Sequence, residues 1–304
     1  MIRFKTHRLR EKTQGLYNFS DYKKTSGKAF YGIAITILLL FVFIAITPIL
    51  YLFFSSLKTL EELNSIHYTF FPKEWDFAKI GVVWTKVNFG QYFLNTFILV
   101  IGCVVCSIFF NALLAYGTAI VKPAGYKIIH GLVMLGYMIP TTLAILPLFL
   151  QIAALKDADG MPVFMNTYWP LWLAYGANAY YYMLFRNHFE KLPVSLMEAS
   201  SIDGAGNMET FLRVVLPLSR SIIGIVAIFS MTASYSDFLL PYLILQDDSK
   251  QTLMVKIFNL SSATTLDPSE FLLVLSLSII PQIIIFVLFQ KQIMGSNANS
   301  GMKE

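Results

Sequence analysis

The chain has 304 residues, 56% of them hydrophobic and only 13% charged, with 23 Lys and Arg against 18 Asp and Glu. Soluble domains carry about 25% charged residues, so this chain cannot clothe a water-facing surface and reads as an integral membrane protein. The net charge of +5 does not argue for nucleic acid, because in such a chain the placement of Lys and Arg along the loops matters more than their sum.

Residues 1–28 hold Arg3, Lys5, Arg8, Arg10, Lys12, Lys23, Lys24 and Lys28 against Glu11 and Asp21, a basic arm expected on the cytoplasmic face. The apolar run from Phe30 to Phe54 exceeds the ~20 residues that cross a hydrocarbon core and lacks a small-residue cleavage site. It is expected to remain as a first membrane helix, with an extracytoplasmic loop completing residues 29–90. Further runs of spanning length at 93–121, 128–152, 168–185, 222–245 and 271–290 predict an all-α polytopic bundle of six transmembrane helices. Cys103 and Cys106, in an apolar Cys-Val-Val-Cys run, read as two small hydrophobes on one helix face, since a reactive or ligating pair needs polar, accessible surroundings. The run at 168–185 is crowded with Tyr168, Trp169, Trp172, Tyr175, Tyr180, Tyr181 and Tyr182. These form an interfacial aromatic belt and packing surface, or a face on which a sugar could stack.

Alternate connections place 1–28, 122–127, 186–220 and the tail 291–304 on one side. That side holds about two-thirds of the 23 Lys and Arg, the signature of the cytoplasm. Both termini are therefore expected inside a multi-pass protein of the cell membrane. Asp237 is the one acid within a predicted span, among Ser230, Thr232, Ser234, Tyr235 and Ser236. A carboxylate there costs about 2.5–3.5 kcal/mol on insertion scales and faces a cavity or a partner. Asp237, Tyr235 and Ser234 are the candidate wall of a polar pathway; the alternative is a structural hydrogen bond inside the bundle.

The polar stretch 193–217 separates two apolar runs. Pro193 and Ser195 mark a helix start, and Glu198 either completes a capping box over Ser195-Leu-Met-Glu198 or, as the apolar face beside it favours, makes a charged docking contact with a basic residue of a partner. Asp203-Gly204-Ala205-Gly206 breaks that helix, Asn207 can cap a second, and Pro217 closes it. Gly204 is expected to need φ > 0. Leu196, Met197, Ala199 and Ile202 give the first helix more apolar surface than a free loop tolerates, on a run too short to cross a bilayer; it needs a partner groove. The sequence has no Gly-x-x-x-x-Gly-Lys-Ser/Thr loop for a nucleotide and no Gly-x-Ser-x-Gly elbow. His7, His67, His130 and His188 stand far apart without ligand spacing. No catalytic residue, metal site or bound cofactor is expected.

The pattern Glu198-Ala199-Ser200, three residues, Gly204, nine residues, Val214-Val215-Leu216-Pro217 resembles the EAA loop of permease subunits of ATP-binding-cassette importers. Ile202-Asp203-Gly204-Ala205 and Leu216-Pro217-Leu218 are similar to the carbohydrate branch, on the side of the maltose-type second permease subunit. Ser200 stands where Ala is usual and Val214 where Ile is usual. Shorter matches to the same pattern, including Phe71-Pro72, Asn95-Thr96, Ile139-Pro140, Phe185-Arg186 and Asp237 to Pro241, extend the resemblance over most of the chain; Tyr235-Ser236 replace the usual Trp-Asn. The resemblance implies a type I importer (MetI-like) permease core over 91–290, and a non-enzymatic subunit that imports a sugar, an oligosaccharide by its branch. It implies that Glu198, Ala199, Ser200, Asp203, Gly204, Leu216 and Pro217 form the ATPase-coupling loop. The implied partners are a second permease subunit, two cytoplasmic ATPase subunits that hold the ATP and Mg, an extracytoplasmic sugar-binding protein and membrane lipid. A secondary sugar carrier using Asp237, or an intramembrane saccharide-handling enzyme, are the competing readings.

Overall fold

The computed structural model describes residues 25–263 and 265–298, with side chains over 28–263 and 265–290. Most of the expected basic arm, residues 1–24, and the last six residues of the tail lie outside the described residues. Regular structure among the described residues is helical apart from one isolated bridge between Lys156 and Pro162.

Among the described residues three helices are long and apolar enough to cross a membrane singly. They are α1 (Thr25–Ser56), α4 (Phe89–Tyr116), which follows the short α2 (Leu60–Leu63) and α3 (Ala78–Val87) and runs on as a π turn (Gly117–Val121), and the last helix, Pro268–Ala298. Two further spans count if each bent pair is taken as one, giving up to five rather than the expected six. The run at 128–152 is α5 (Tyr126–Met138) and α6 (Thr141–Ala154), bent by 104°. Ile139 and Pro140 are extended there, with ψ of 125° and 123°, because proline lacks the N–H and disfavours the helical region for the residue before it. The run at 168–185 is likewise two helices, α7 (Trp169–Gly176) and α8 (Ala179–Phe189). Asn178 is extended between them, and its Oδ1 accepts the Tyr181 N–H at 3.1 Å. The run at 222–245 is α12 (Arg220–Ser236) and α13 (Leu239–Ile244), separated at Asp237 and Phe238. Each of these three expected helices is thus a broken one.

Helix α4 is the post on which the bundle is built, packed by α7, α8 and α12. Asn95, Leu99, Cys103, Ser107, Asn111 and Ala115 recur every four residues along it, and all are buried. This small, polar stripe admits close approach and supplies interhelical hydrogen bonds where hydrophobic contrast with lipid is absent. Ser107 and Ser230 hydroxyls meet at 2.8 Å, and Asn111 donates to the Tyr175 carbonyl at 3.1 Å. Trp172 donates its indole N–H to the Leu99 carbonyl at 3.1 Å, lying over Gly102, where any Cβ would overlap the ring. Cys103 is buried on the stripe, Cys106 is half-buried, and both are free. At the far end from the 193–217 stretch, Tyr92 donates to Asp248 at 2.7 Å and Lys256 pairs with the same carboxylate at 3.0 Å. The Tyr92 bond, then that of Lys256, holds the Asp248 carboxyl below its ordinary range against an opposing effect of burial.

Candidate functional site

The stretch 193–217 folds as helix, turn, helix. Helix α9 (Val194–Ile202) begins directly after an extended Pro193, without a side-chain cap. Ser195 therefore lies inside the first turn, too deep to cap, and Glu198 is two residues past the position from which it could reach back, so the expected capping box is not formed. Glu198 is exposed. At the other end, Gly204 has φ of +82°, as its role in the turn required. Its N–H donates to the Ser201 carbonyl at 3.1 Å, and the Ala205 N–H donates to the Ser200 carbonyl at 3.0 Å. This pair of bonds is a Schellman motif with glycine in the left-handed position. Asp203 closes α9 in helical conformation just before it.

The second arm is α10 (Asn207–Thr210), a π turn (Phe211–Val215) and α11 (Leu216–Leu218). Gly206, not Asn207, occupies the capping position, one residue earlier than expected. The arm ends one residue after Pro217, and α12 leaves it at 82°. Ser200 and Thr210 hydroxyls meet at 2.8 Å, both buried, and clasp the two arms together. The hydroxyl that replaces the usual alanine thus has a structural use. Phe211 and Val215 are fully buried against Tyr116, Ala119, Tyr182, Phe185 and Phe189, so the stretch is keyed into the bundle at the end of α4 and α8. Its other side has no partner among the described residues. Val194, Leu196, Ile202, Met208, Leu212 and Leu218 are exposed, and Ile202 is 86% exposed. Beside them a depression of about 470 Å³ is lined by Ala199, Ser200, Asp203, Gly204, Ala205, Glu209, Arg213 and Val214, with Leu196 at its edge.

The other candidates sit at the breaks. Asp237 is half-buried in extended conformation where α12 stops, with its carboxylate facing the N–H groups of Leu239 and Leu240 that open α13. Ser234 and Tyr235 do not join it. Ser234 donates to the Ser230 carbonyl at 2.6 Å and Tyr235 to the Ser278 carbonyl at 2.7 Å, both buried within the bundle. Their hydroxyls serve packing of this chain. A cavity of about 570 Å³ opens instead where the α5–α6 and α7–α8 breaks face each other, lined by Tyr137, Pro140, Thr141, Asn178 and Tyr180 among others. The Tyr137 and Tyr180 rings stack at 6.5 Å with 16° between planes, and both are exposed. Of the aromatic run at 168–185, Tyr181 and Tyr182 are buried and Trp172 is tied to α4, so most of it is packing; Tyr180 is the member that meets a cavity. Sequence reading missed this cavity because its walls come from two breaks hidden inside apolar runs, though Pro140 and Asn178 mark both.

A family model described as "Binding-protein-dependent transport system inner membrane component" matches residues 111–294. The chain is similar to the diacetylchitobiose uptake system permease protein NgcG of Streptomyces coelicolor, 30% identical over 274 residues, 90% of this chain and 89% of that protein. It is also similar to the arabinooligosaccharides transport system permease protein AraQ of Bacillus subtilis, 26% identical over 277 residues, 90% of this chain and 96% of that protein. A chain in the crystal structure of a bacterial ABC transporter for import of the acidic polysaccharide alginate shares its fold. That match has a TM-score of 0.76 and 21% identity, covering 90% of this chain and 98% of the other.

Proposed function

The chain belongs to the binding-protein-dependent transport system inner membrane component family, and from that premise we propose that it is the permease subunit through which an ABC importer passes an oligosaccharide across the cell membrane. Members of this family are multi-pass transport components, not enzymes, and work with an ATPase and a substrate-binding protein. The relatives named for diacetylchitobiose and arabinooligosaccharides support a carbohydrate, and a short chain of sugar units rather than a monosaccharide. The assembly proposed has a second permease subunit, two cytoplasmic ATPase subunits holding ATP and Mg, and an extracytoplasmic sugar-binding protein. Both termini lie in the cytoplasm, the side favoured by the Lys and Arg of the loops.

The observation that carries the mechanism is the continuity of the helix-turn-helix with the broken fifth segment. Its exposed apolar side takes the ATPase, with Glu198 as the charged contact. Its buried side, Phe211 and Val215, moves with α8. Leu216-Pro217 hands the same movement through an 82° bend to α12, whose far end is Asp237. The breaks at Pro140 and Asn178 place polar groups and unpaired backbone where a membrane protein tolerates them, around a cavity, and Asp237 stands at the third break, outside that cavity's lining. Sugar hydroxyls find acceptors at Asp237 and Asn178, and the Tyr137–Tyr180 faces offer a stacking surface.

Reconstituted vesicles test this. The complete complex is expected to accumulate oligosaccharide only with ATP inside the ATPase compartment and the binding protein present. Accumulation driven by a proton gradient without ATP would establish the secondary-carrier reading instead.

A further inference from the structure

At the bundle end that carries the helix-turn-helix, one chain of hydrogen bonds crosses three elements. Arg186 Nη1 of α8 lies 3.0 Å from His130 Nε2 of α5, and His130 Nδ1 lies 3.0 Å from Tyr182 Oη of α8. Tyr182 Oη is 2.9 Å from Thr118 Oγ1 in the π turn after α4, and Thr118 donates to the Leu114 or Ala115 carbonyl at 3.1 or 3.3 Å. A guanidinium can only donate, so the direction of every bond is set. Nε2 is bare and accepts, Nδ1–H donates to Tyr182, and Tyr182 donates to Thr118. Tyr182 is 1% exposed and Thr118 2%, so water does not replace these partners. Arg186 Nη2 pairs with Glu190 at 2.7 Å, the residue that closes α8 shortly before Pro193. Arg186 Nε is buried without a partner.

Helix α5 has no fully buried residue; only half-buried Val133 and Met134 pack on the core at this end. The polar chain is therefore a principal tie between α8, which the loop moves, and α5, which leads to the 104° break and the cavity. Resting on the transport reading above, we propose that His130 is a positioning residue that passes movement of the loop from α8 to the broken span α5–α6. It does so only as the neutral imidazole, so coupling is sensitive to pH on the side where the loop lies. The charged groups facing His130 are Arg186 and Glu190 of α8; the π turn presents the uncharged Thr118. A proton on Nε2 turns the acceptor into a donor and sets like charges 3.0 Å apart, and Glu190 is already engaged by Arg186. The tie between α5 and α8 is then lost.

The test uses the complete complex with its binding protein in nanodiscs, reading the ratio of sugar-stimulated to basal ATP hydrolysis from pH 8 to pH 5. The wild-type ratio is expected to fall severalfold as His130 takes up a proton toward the acid end of that range. His130→Gln keeps one acceptor and one donor without a titrating proton, and should hold the ratio level. Tyr182→Phe cuts the chain and should lower the ratio at both pH values. A spin-label pair at exposed Leu132 and Asn187, with His130 intact, should widen between pH 8 and pH 5. A His130→Gln ratio that keeps the wild-type pH dependence, or a label distance that stays fixed, overturns the proposal while leaving the transport reading in place. Wild-type complex that shows no sugar-stimulated hydrolysis at pH 8 overturns both.

Discussion

Gly204 is the most informative position to perturb, because two separable effects can be told apart there. Its φ of +82° lies where a residue with a Cβ pays about 1–2 kcal/mol. Among the described residues a Cβ built on Gly204 meets nothing within 4 Å, so the penalty of alanine is conformational and not a clash. The undocked loop of a Gly204→Ala variant can relax out of this geometry, whereas the docked state must carry the strain. Gly204→Ala should therefore weaken association with the ATPase by about 5- to 30-fold. Gly204→Asn should retain most of the affinity, since asparagine visits the left-handed region with little cost. Gly204→Asp adds a charge to the docking depression and should abolish sugar-stimulated hydrolysis while leaving insertion intact, because no spanning helix is touched. The assay is titration of ATPase subunits onto the permease pair in nanodiscs, followed by stimulated hydrolysis. Equal losses for Ala and Asn would mean that the added side chain and not the backbone is what matters. An unchanged Gly204→Ala would mean that the ATPase does not read this turn.

Glu198→Gln should leave thermal stability unchanged, because no capping box exists to lose, yet cost stimulated hydrolysis tenfold or more if a charge-assisted contact worth about 1.5–3 kcal/mol is removed; wild-type stimulation would dismiss that contact. Asp237→Asn keeps the shape and one acceptor, so a pathway role shows as uptake altered severalfold in a normally assembled complex; unchanged uptake, with Asp237→Leu lowering only complex yield, would make it structural. Gly102→Ala forces the Trp172 indole off α4 and should destabilise the subunit by about 1–3 kcal/mol, as overpacking does, read as a lowered unfolding midpoint in detergent. Cysteines at Asp157 and Thr265 should react with an impermeant thiol reagent added outside cells, and cysteines at Ala124 and Asn207 should not; the reverse pattern would invert the topology.

The parts legible in the sequence were those that a single residue type decides locally. Glycine takes the left-handed turn at 204 at the least cost, and the lengths of the apolar runs at 30–54, 93–121 and 271–290 alone mark spans. The breaks were less legible, because a window of twenty apolar residues averages over one Asn178 or one Asp237. The breaks at Asn178 and Asp237 are each held by a side chain that stands in for missing helical bonds, the one at Pro140 has no such cap, and only the surrounding bundle decides that this is tolerable. The capping box failed for a local reason: α9 starts at Val194, so Ser195 came two residues late. Ser234 and Tyr235 were grouped with Asp237 by nearness in sequence, whereas helical geometry turns both into the bundle. The His130–Arg186 contact joins residues 56 positions apart, and no pattern in either neighbourhood announces it.

The central claim, that the exposed apolar side of the helix-turn-helix is the seat of a cytoplasmic ATPase, is tested most directly at Ile202. With Cys103 and Cys106 replaced by alanine, Ile202→Cys should be unreactive toward impermeant reagent outside intact cells. It should react in inside-out vesicles stripped of ATPase and become protected when ATPase subunits are added back. Labelling from outside, or undiminished labelling with the ATPase bound, would contradict the account.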